Sequence, residues 1–350
     1  MKRFLPTLLL VIVCIGGFWF AASHSFFKKP EDKPVNLVTA NKDDVQSFTI
    51  KNNAPQQGES PVITLEKKDG KWSMTQPAAY PLNTYSPDSW VTAITSATSD
   101  KKIEENAKDL SKYGLDKPKE EFQIVLKDGT RKTLLLGDAT PVTGTYYVKT
   151  DGSSTVYQMS QENLQSLQKQ PIDMVEKDPF QFDYNKLKSL TVQWKGQEWT
   201  LTKSDLSKMA YESDWKLGDL SLSSDDGTAF LDKMINFASD QMPVAASTVK
   251  VDNPDLTVKI VENVDGKDVP STYVGKIDGS VIWIVKQGGP WAYELNPDDI
   301  QQLYDKAQDT RDKVAKEKAD AQKAQSSSNA GSQNSGSTGA STTSQTQQTK

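Results

Sequence analysis

Histidine and cysteine are almost absent: the 350 residues hold one of each, Cys14 and His24. Both lie in or beside the leading apolar run, so the polar body of the chain has neither imidazole nor thiol. This excludes Ser-His-Asp and Cys-His nucleophilic arrangements, removes the ligands on which zinc sites depend, and leaves no disulfide within the chain. An excess of one charge is also missing. Against 41 Lys and Arg stand 46 Asp and Glu, for a net charge of −5; the two signs are interspersed, so there is no basic footprint for nucleic acid. No phosphate-binding loop or Walker pattern occurs, and no cofactor or metal is expected. Long hydrophobic runs are absent beyond the first, Phe4 to Ala22.

That run follows Lys2 and Arg3 and would extend about 28 Å as a helix, close to the hydrocarbon thickness of a bilayer. It is longer than the apolar core of an ordinary signal peptide, which favours a retained anchor although Ala21-Ala22-Ser23 resembles a cleavage site. Cys14 follows Val13 rather than the small residue of a lipoprotein signal, and reads as an apolar side chain within the span. Lys28, Lys29 and Lys33 follow the run, so basic residues do not fix its direction. The cysteine-free body, rich in Thr, Ser, Gln and Asn, favours the extracytoplasmic side of a bacterial cytoplasmic membrane.

The body repeats itself. Val156 to Leu167 (VYQMSQENLQSL) is answered by Ala292 to Leu303 (AYELNPDDIQQL), and Val45 to Ile50 by Leu187 to Val192. Trp72 pairs with Trp215, Phe122 to Leu126 with Leu256 to Ile260, Gly137 with Gly275, and Val148-Lys149 with Val285-Lys286. The order is kept, at separations from 134 (Phe122 to Leu256) to 143 (Trp72 to Trp215). Apolar alternation predicts strands at residues 45–51, 62–65, 122–126, 133–136, 146–149 and 155–158, and helical spacing predicts helices at 87–97 and 161–168. Short Gly, Asp and Asn turns join many of these strands, too short for parallel crossovers, so the sheets should be antiparallel and the class α+β. The expected organisation is a membrane anchor over 1–27, a linker over 28–44, related modules over 45–178 and 179–311, and a helical extension with a disordered low-complexity tail over 312–350. From Gln325 onward nothing is available to bury against the entropy of ordering.

Chemistry-bearing patterns are weak. Ser-x-x-Lys recurs at Ser25, Ser99, Ser166, Ser213 and Ser247 without the companion elements of acyl-transfer enzymes. Acidic strings at Asp225-Asp226-Gly227, at residues 252–255 and at residues 263–268 lack the ligand alternation of a calcium loop and read as turns. Paired carboxylates remain open among the acids, as in glycoside cleavage. Tyr146, Tyr147, Trp283, Trp291 and Tyr293 sit in corresponding hairpins and form a candidate partner-binding surface, with cross-strand packing as the alternative.

Trp72 to Pro77, a following helix, Tyr113-Gly114-Leu115-Asp116-Lys117-Pro118, Leu135-Leu136-Gly137-Asp138 and Gly144 to Val148 together resemble the bacterial domain-of-unknown-function family numbered 4340. The resemblance is close in the first module and follows the second only in outline, where Val251-Asp252-Asn253-Pro254 replaces the Tyr-Gly-Leu string. It implies a membrane-anchored extracytoplasmic protein associated with auxiliary components of ABC transporters, and it implies no catalytic residue. A non-enzymatic accessory or scaffold subunit of a membrane or envelope complex is therefore expected. The alternatives are a carboxylate-dependent cell-wall glycan hydrolase and an extracytoplasmic solute-binding protein, which would need a closed pocket.

Overall fold

The computed structural model describes residues 15–17, 19–20, 34–99 and 101–332, with side chains through residue 323. The chain divides into two compact units between Glu176 and Lys177. The expected membrane span lies outside the described residues except for 15–17 and 19–20, which are helical. Among the described residues no helix is long and apolar enough to cross a membrane.

In unit 1, β1 (Val35–Asn36) pairs with β5 (Thr98–Ser99). The main sheet is antiparallel throughout and contains β2 (Val45–Asn52), β3 (Val62–Lys68), β4 (Lys71–Gln76), β6 (Lys101–Glu104), β7 (Glu120–Leu126), β8 (Arg131–Ala139), β9 (Thr145–Thr150) and β10 (Val156–Ser160), in the order β4-β3-β2-β7-β8-β9-β10-β6. Alternation along β2 buries Phe48 and Ile50 and exposes Gln46 and Lys51, as a strand with one covered face requires. The cover is α1 (Ser86–Thr95) with α2 (Gln161–Leu167). Trp90 of α1 stacks on Phe48 at 4.2 Å, and its indole Nε1 donates to the Leu167 carbonyl at 2.8 Å. That bond satisfies the one polar atom of a large buried ring. Asn83 Oδ1 accepts from the amides of Tyr85 and Ser86 just before α1, and the Ser160 hydroxyl caps α2 through the Asn163 amide.

Unit 2 holds β11 (Leu187–Trp194), β12 (Gln197–Lys203), β13 (Trp215–Leu217), β14 (Leu220–Leu222), β15 (Val244–Ala245), β16 (Leu256–Val264), β17 (Lys267–Asp278), β18 (Val281–Lys286) and β19 (Trp291–Leu295). Their order is β14-β13-β12-β11-β16-β17-β18-β19-β15. With β14 set aside, this is the order of unit 1 strand for strand, and both folds are α+β with antiparallel sheets. Helices α3 (Ser224–Ile235) and α4 (Pro297–Ser332) enclose a core that includes Leu190, Val192, Trp215, Phe230, Ile260, Ile284 and Leu303. Gly227 lets α3 lie against Trp215: a Cβ there would sit 2.2 Å from the indole ring.

Ladder positions can be compared through the sheet. Phe48 faces Ile124 and Leu190 faces Ile260, while Trp72 faces Lys67 and Trp215 faces Lys203. Farther along, Leu136 faces Val148, and Gly275 faces Ile284. The position equivalent to Val148 is therefore Ile284, and that of Leu136 is Gly275. This corrects three sequence pairings: Phe122 to Leu126 with Leu256 to Ile260 by two residues, since Glu120 holds the place of Leu256, and Gly137 with Gly275 and Val148-Lys149 with Val285-Lys286 by one residue each. A register shift between Leu136 and Ala139 in β8, with none in β17, separates the two patterns. A one-residue slip exchanges the faces of a strand, so the correction decides which side chains are comparable.

A second correction concerns the carboxyl end. Helix α4 continues to Ser332 and enters the stretch expected to be tail, because Ala324 to Ala330 contain no proline or glycine and each added residue extends the bonded ladder. The remainder of that tail lies outside the described residues.

Candidate functional site

Within each unit the candidate aromatics divide between the two faces of the sheet. Tyr146 and Tyr147 are neighbours on β9 and point to opposite faces. Tyr146 pairs across the sheet with the buried Met159, whereas Tyr147 packs edge-to-face on Tyr113 at 4.8 Å. In unit 2, Tyr293 pairs with Ile284 and is buried; Trp291, two residues before it, shares its face, and Trp283 lies on the other. All of them except Tyr293 are half-buried.

Tyr147 and Trp283 occupy equivalent positions, one residue before Val148 and Ile284, but their surroundings differ. In unit 1 the segment between β6 and β7, residues 105–119, crosses this face and closes a small second core of Ala107, Tyr113, Leu115 and Val156, with Leu135 and Tyr147 against it. Two glycines permit the crossing. Gly137 passes beneath the Tyr113 carbonyl, where a Cβ would lie 2.0 Å from that oxygen, and Gly114 turns with φ 64° beside the Asp138 carboxylate. The Tyr-Gly-Leu string and the Gly-Asp pair are thus two sides of one packing contact. In unit 2 the connection is shorter, residues 246–255, and Lys276 stands where unit 1 has Gly137. A groove of about 600 Å³ remains, lined by Val244, Thr248, Val249, Lys250, Lys276 and Trp283. Lys276 is held at its edge by Asp255 at 3.2 Å and by the Asn253 carbonyl at 3.0 Å.

A second site, in unit 1, had no sequence signal of its own. The loop joining β2 to β3, residues 53–61, coils around the Glu59 carboxylate, which accepts from Asn52 Nδ2 at 3.1 Å and from the Gln56 amide at 2.9 Å. The Ser60 amide donates to Gln170 Oε1 at 3.1 Å, joining the loop to the segment after α2. Between them lies a cleft of about 420 Å³ floored by Ile50 and Ile63. Glu120, the first residue of β7, enters it half-buried and accepts a short hydrogen bond from Gln168 Nε2. Burial pushes the Glu120 carboxyl above the ordinary carboxylate range; the Gln168 bond partly opposes this, and the nearby Glu59 charge adds to it.

Unit 2 fills the same place. Asn52 faces Glu120 in unit 1, and the corresponding pair in unit 2 is Trp194 facing Leu256, both buried. The Trp194 indole donates to Gln301 of α4 at 2.7 Å. A two-residue turn, Lys195-Gly196 with φ 49° and 83°, replaces the long loop.

The other chemical patterns have structural uses. Asp226 lies in the first turn of α3, bonded by Ser223 and paired with Lys313 at 2.7 Å. Asp255 accepts from the Ile277 amide at 3.0 Å, and Asp265-Gly266 form the β16–β17 turn. Ser166 bonds back to the Glu162 carbonyl, and Ser213 to that of Asp214. Among the described residues no group of three His, Cys, Asp or Glu is placed to hold a metal ion.

The fold and the two concave sites define a two-unit antiparallel α+β protein whose units differ mainly in their loops. Residues 72–224 match the family model described as "Domain of unknown function (DUF4340)", so the resemblance read from the Tyr113 and Gly137 motifs holds. The match starts in β4 and ends at the first residue of α3, so it straddles the division between the units. No curated protein and no solved structure matches the chain.

Proposed function

We propose that the two units are copies of one module, and that the protein is a non-catalytic accessory or scaffold subunit of the bacterial envelope, tethered through Phe4 to Ala22 with both units outside the cytoplasmic membrane. Its partner is a protein subunit of a membrane complex, such as an ABC-type transport system, seated on the Trp283 groove. The family resemblance supports the transport setting. The observation carrying the reading is that the face closed by Tyr113 and Leu115 in unit 1 is left as a Trp283-lined groove in unit 2. Aromatic anchors in such depressions carry much of the energy of protein interfaces. In affinity purification of the detergent-extracted full chain, the same transport subunits should be recovered repeatedly with wild type and depleted about tenfold or more with Trp283→Ala, as loss of an anchor predicts. Recovery of no membrane protein, or equal recovery with both, would overturn the reading.

One observation favours a carboxylate-dependent glycan hydrolase instead: Glu59 and Glu120 line the same cleft. Against this role, one Glu59 oxygen already accepts from both Asn52 and the Gln56 amide. Release of soluble sugars from cell-wall glycan by wild type, abolished by Glu120→Gln, would establish the hydrolase.

A further inference from the structure

We propose that the unit 1 cleft is a binding site for a neutral, polyhydroxylated ligand, a short stretch of glycan. The equivalent place in unit 2 shows that this sheet and helix close with Trp194 against Leu256 and a two-residue turn, so a polar cleft is not something the architecture requires. Unit 1 instead carries Asn52 and Glu120 at those positions, lengthens the hairpin, and leaves about 420 Å³ open, within the size range of small-ligand sites. Retaining a half-buried carboxyl where an apolar pair fits is unfavourable for stability by itself.

The lining selects the ligand class. Side-chain amides from Asn52, Gln56, Gln168 and Gln170, with the Glu120 carboxyl, present donors and acceptors close together over the apolar floor of Ile50 and Ile63. Sugar hydroxyls both donate and accept, and the C–H faces of the ring suit an apolar floor. Anions are disfavoured by Glu59 and Asp173, while Lys119 is paired with Asp138 at 2.9 Å and Lys169 is drawn back to the Gln165 carbonyl at 3.4 Å. Cations are poorly served too: Glu59 and Asp173 each hold a backbone amide, of Gln56 and Gln170, and Glu120 already accepts from Gln168. Among the described residues, Glu120 Oε2 has no hydrogen-bond partner and remains to meet a hydroxyl.

The inference adds a polymer contact to the envelope reading and rests on it only for where the glycan is met. Its test is calorimetric titration of the detergent-solubilised full chain with chitotetraose, cellotetraose and maltotetraose, and with tetraglutamate and tetralysine as charged controls. Saturable binding of at least one neutral oligosaccharide is expected, weakened about tenfold or more by Glu120→Ala and by Gln168→Ala, the loss given by one hydrogen bond to a buried polar group. Replacing residues 53–61 by Lys-Gly should abolish it, with thermal melting reporting that this variant still folds. Glu120→Gln should retain binding, and Trp283→Ala should leave it unchanged, which separates this site from the partner groove. No binding of any neutral oligosaccharide, preference for a charged control, or wild-type affinity in both alanine variants would overturn the proposal.

Discussion

Glu120 links stability to pH with a definite sign. Its carboxyl titrates near 4.5 in the unfolded chain and higher in the folded one, so the folded state holds this proton more tightly. Its contribution to stability therefore falls as pH rises from 4.5 through the raised folded value, and stays lowered above it. Glu120→Gln removes that dependence: measured as the difference from wild type, its melting temperature should rise across the same window and stay higher up to pH 7. An advantage that shrinks with rising pH would contradict the assignment. Gly227 is a purely packing case. Gly227→Ala places a methyl 2.2 Å from the Trp215 ring, and unit 2 should lose about 1–3 kcal/mol in urea unfolding followed by tryptophan fluorescence, the range for overpacking. At this scale the Tyr113 and Gly137 motif could be read from sequence because it is local and glycine-marked. Glu120 could not: it is one of two adjacent acids opening a strand, and its burial arises only when residues 53–61 and 168–173 meet. The available hint was the contrast between the long unit 1 hairpin and the short Lys195-Gly196 turn.

Strands with one covered face were visible as elements because burial writes itself into alternation, as in β2 and β11. Register was less visible. The pairings at Gly137 and Val148 miss their structural partners by one residue and so by one face, while the later pairing of Val156 with Ala292 stands. Edge strands such as β6 and β15 escaped because they are short and gain their partners from distant sequence. Helix α4 shows a different limit. Its 36 residues exceed what the core holds: Ala307, Thr310 and Val314 are its last buried side chains among those described. Ending the chain after Lys318 should change unit 2 stability by less than about 0.5 kcal/mol, as for ordinary surface changes. Ending it after Lys306 removes those three residues and the Lys313–Asp226 pair, and should lower the melting temperature measurably. Equal stability of the two truncations would mean that the distal turns do not pack as described.

For the molecule, the sequence repeat and the missing imidazole and thiol narrowed the chemistry before any geometry was known. The α+β class followed from turn lengths, since hairpins as short as Lys195-Gly196 cannot carry a parallel crossover. The concave sites were not legible, because each is made by what a connection does or fails to cover: residues 105–119 against 246–255 on one face, and residues 53–61 against 195–196 at the other site. Loops tolerate such changes where sheet registers do not. Each ladder also closes around its own buried side chains, and that has an evolutionary consequence. On the proposal that the two units are copies of one module, a substitution in the core of one leaves the side chains that close the other ladder unchanged, so either copy can drift toward a specificity of its own.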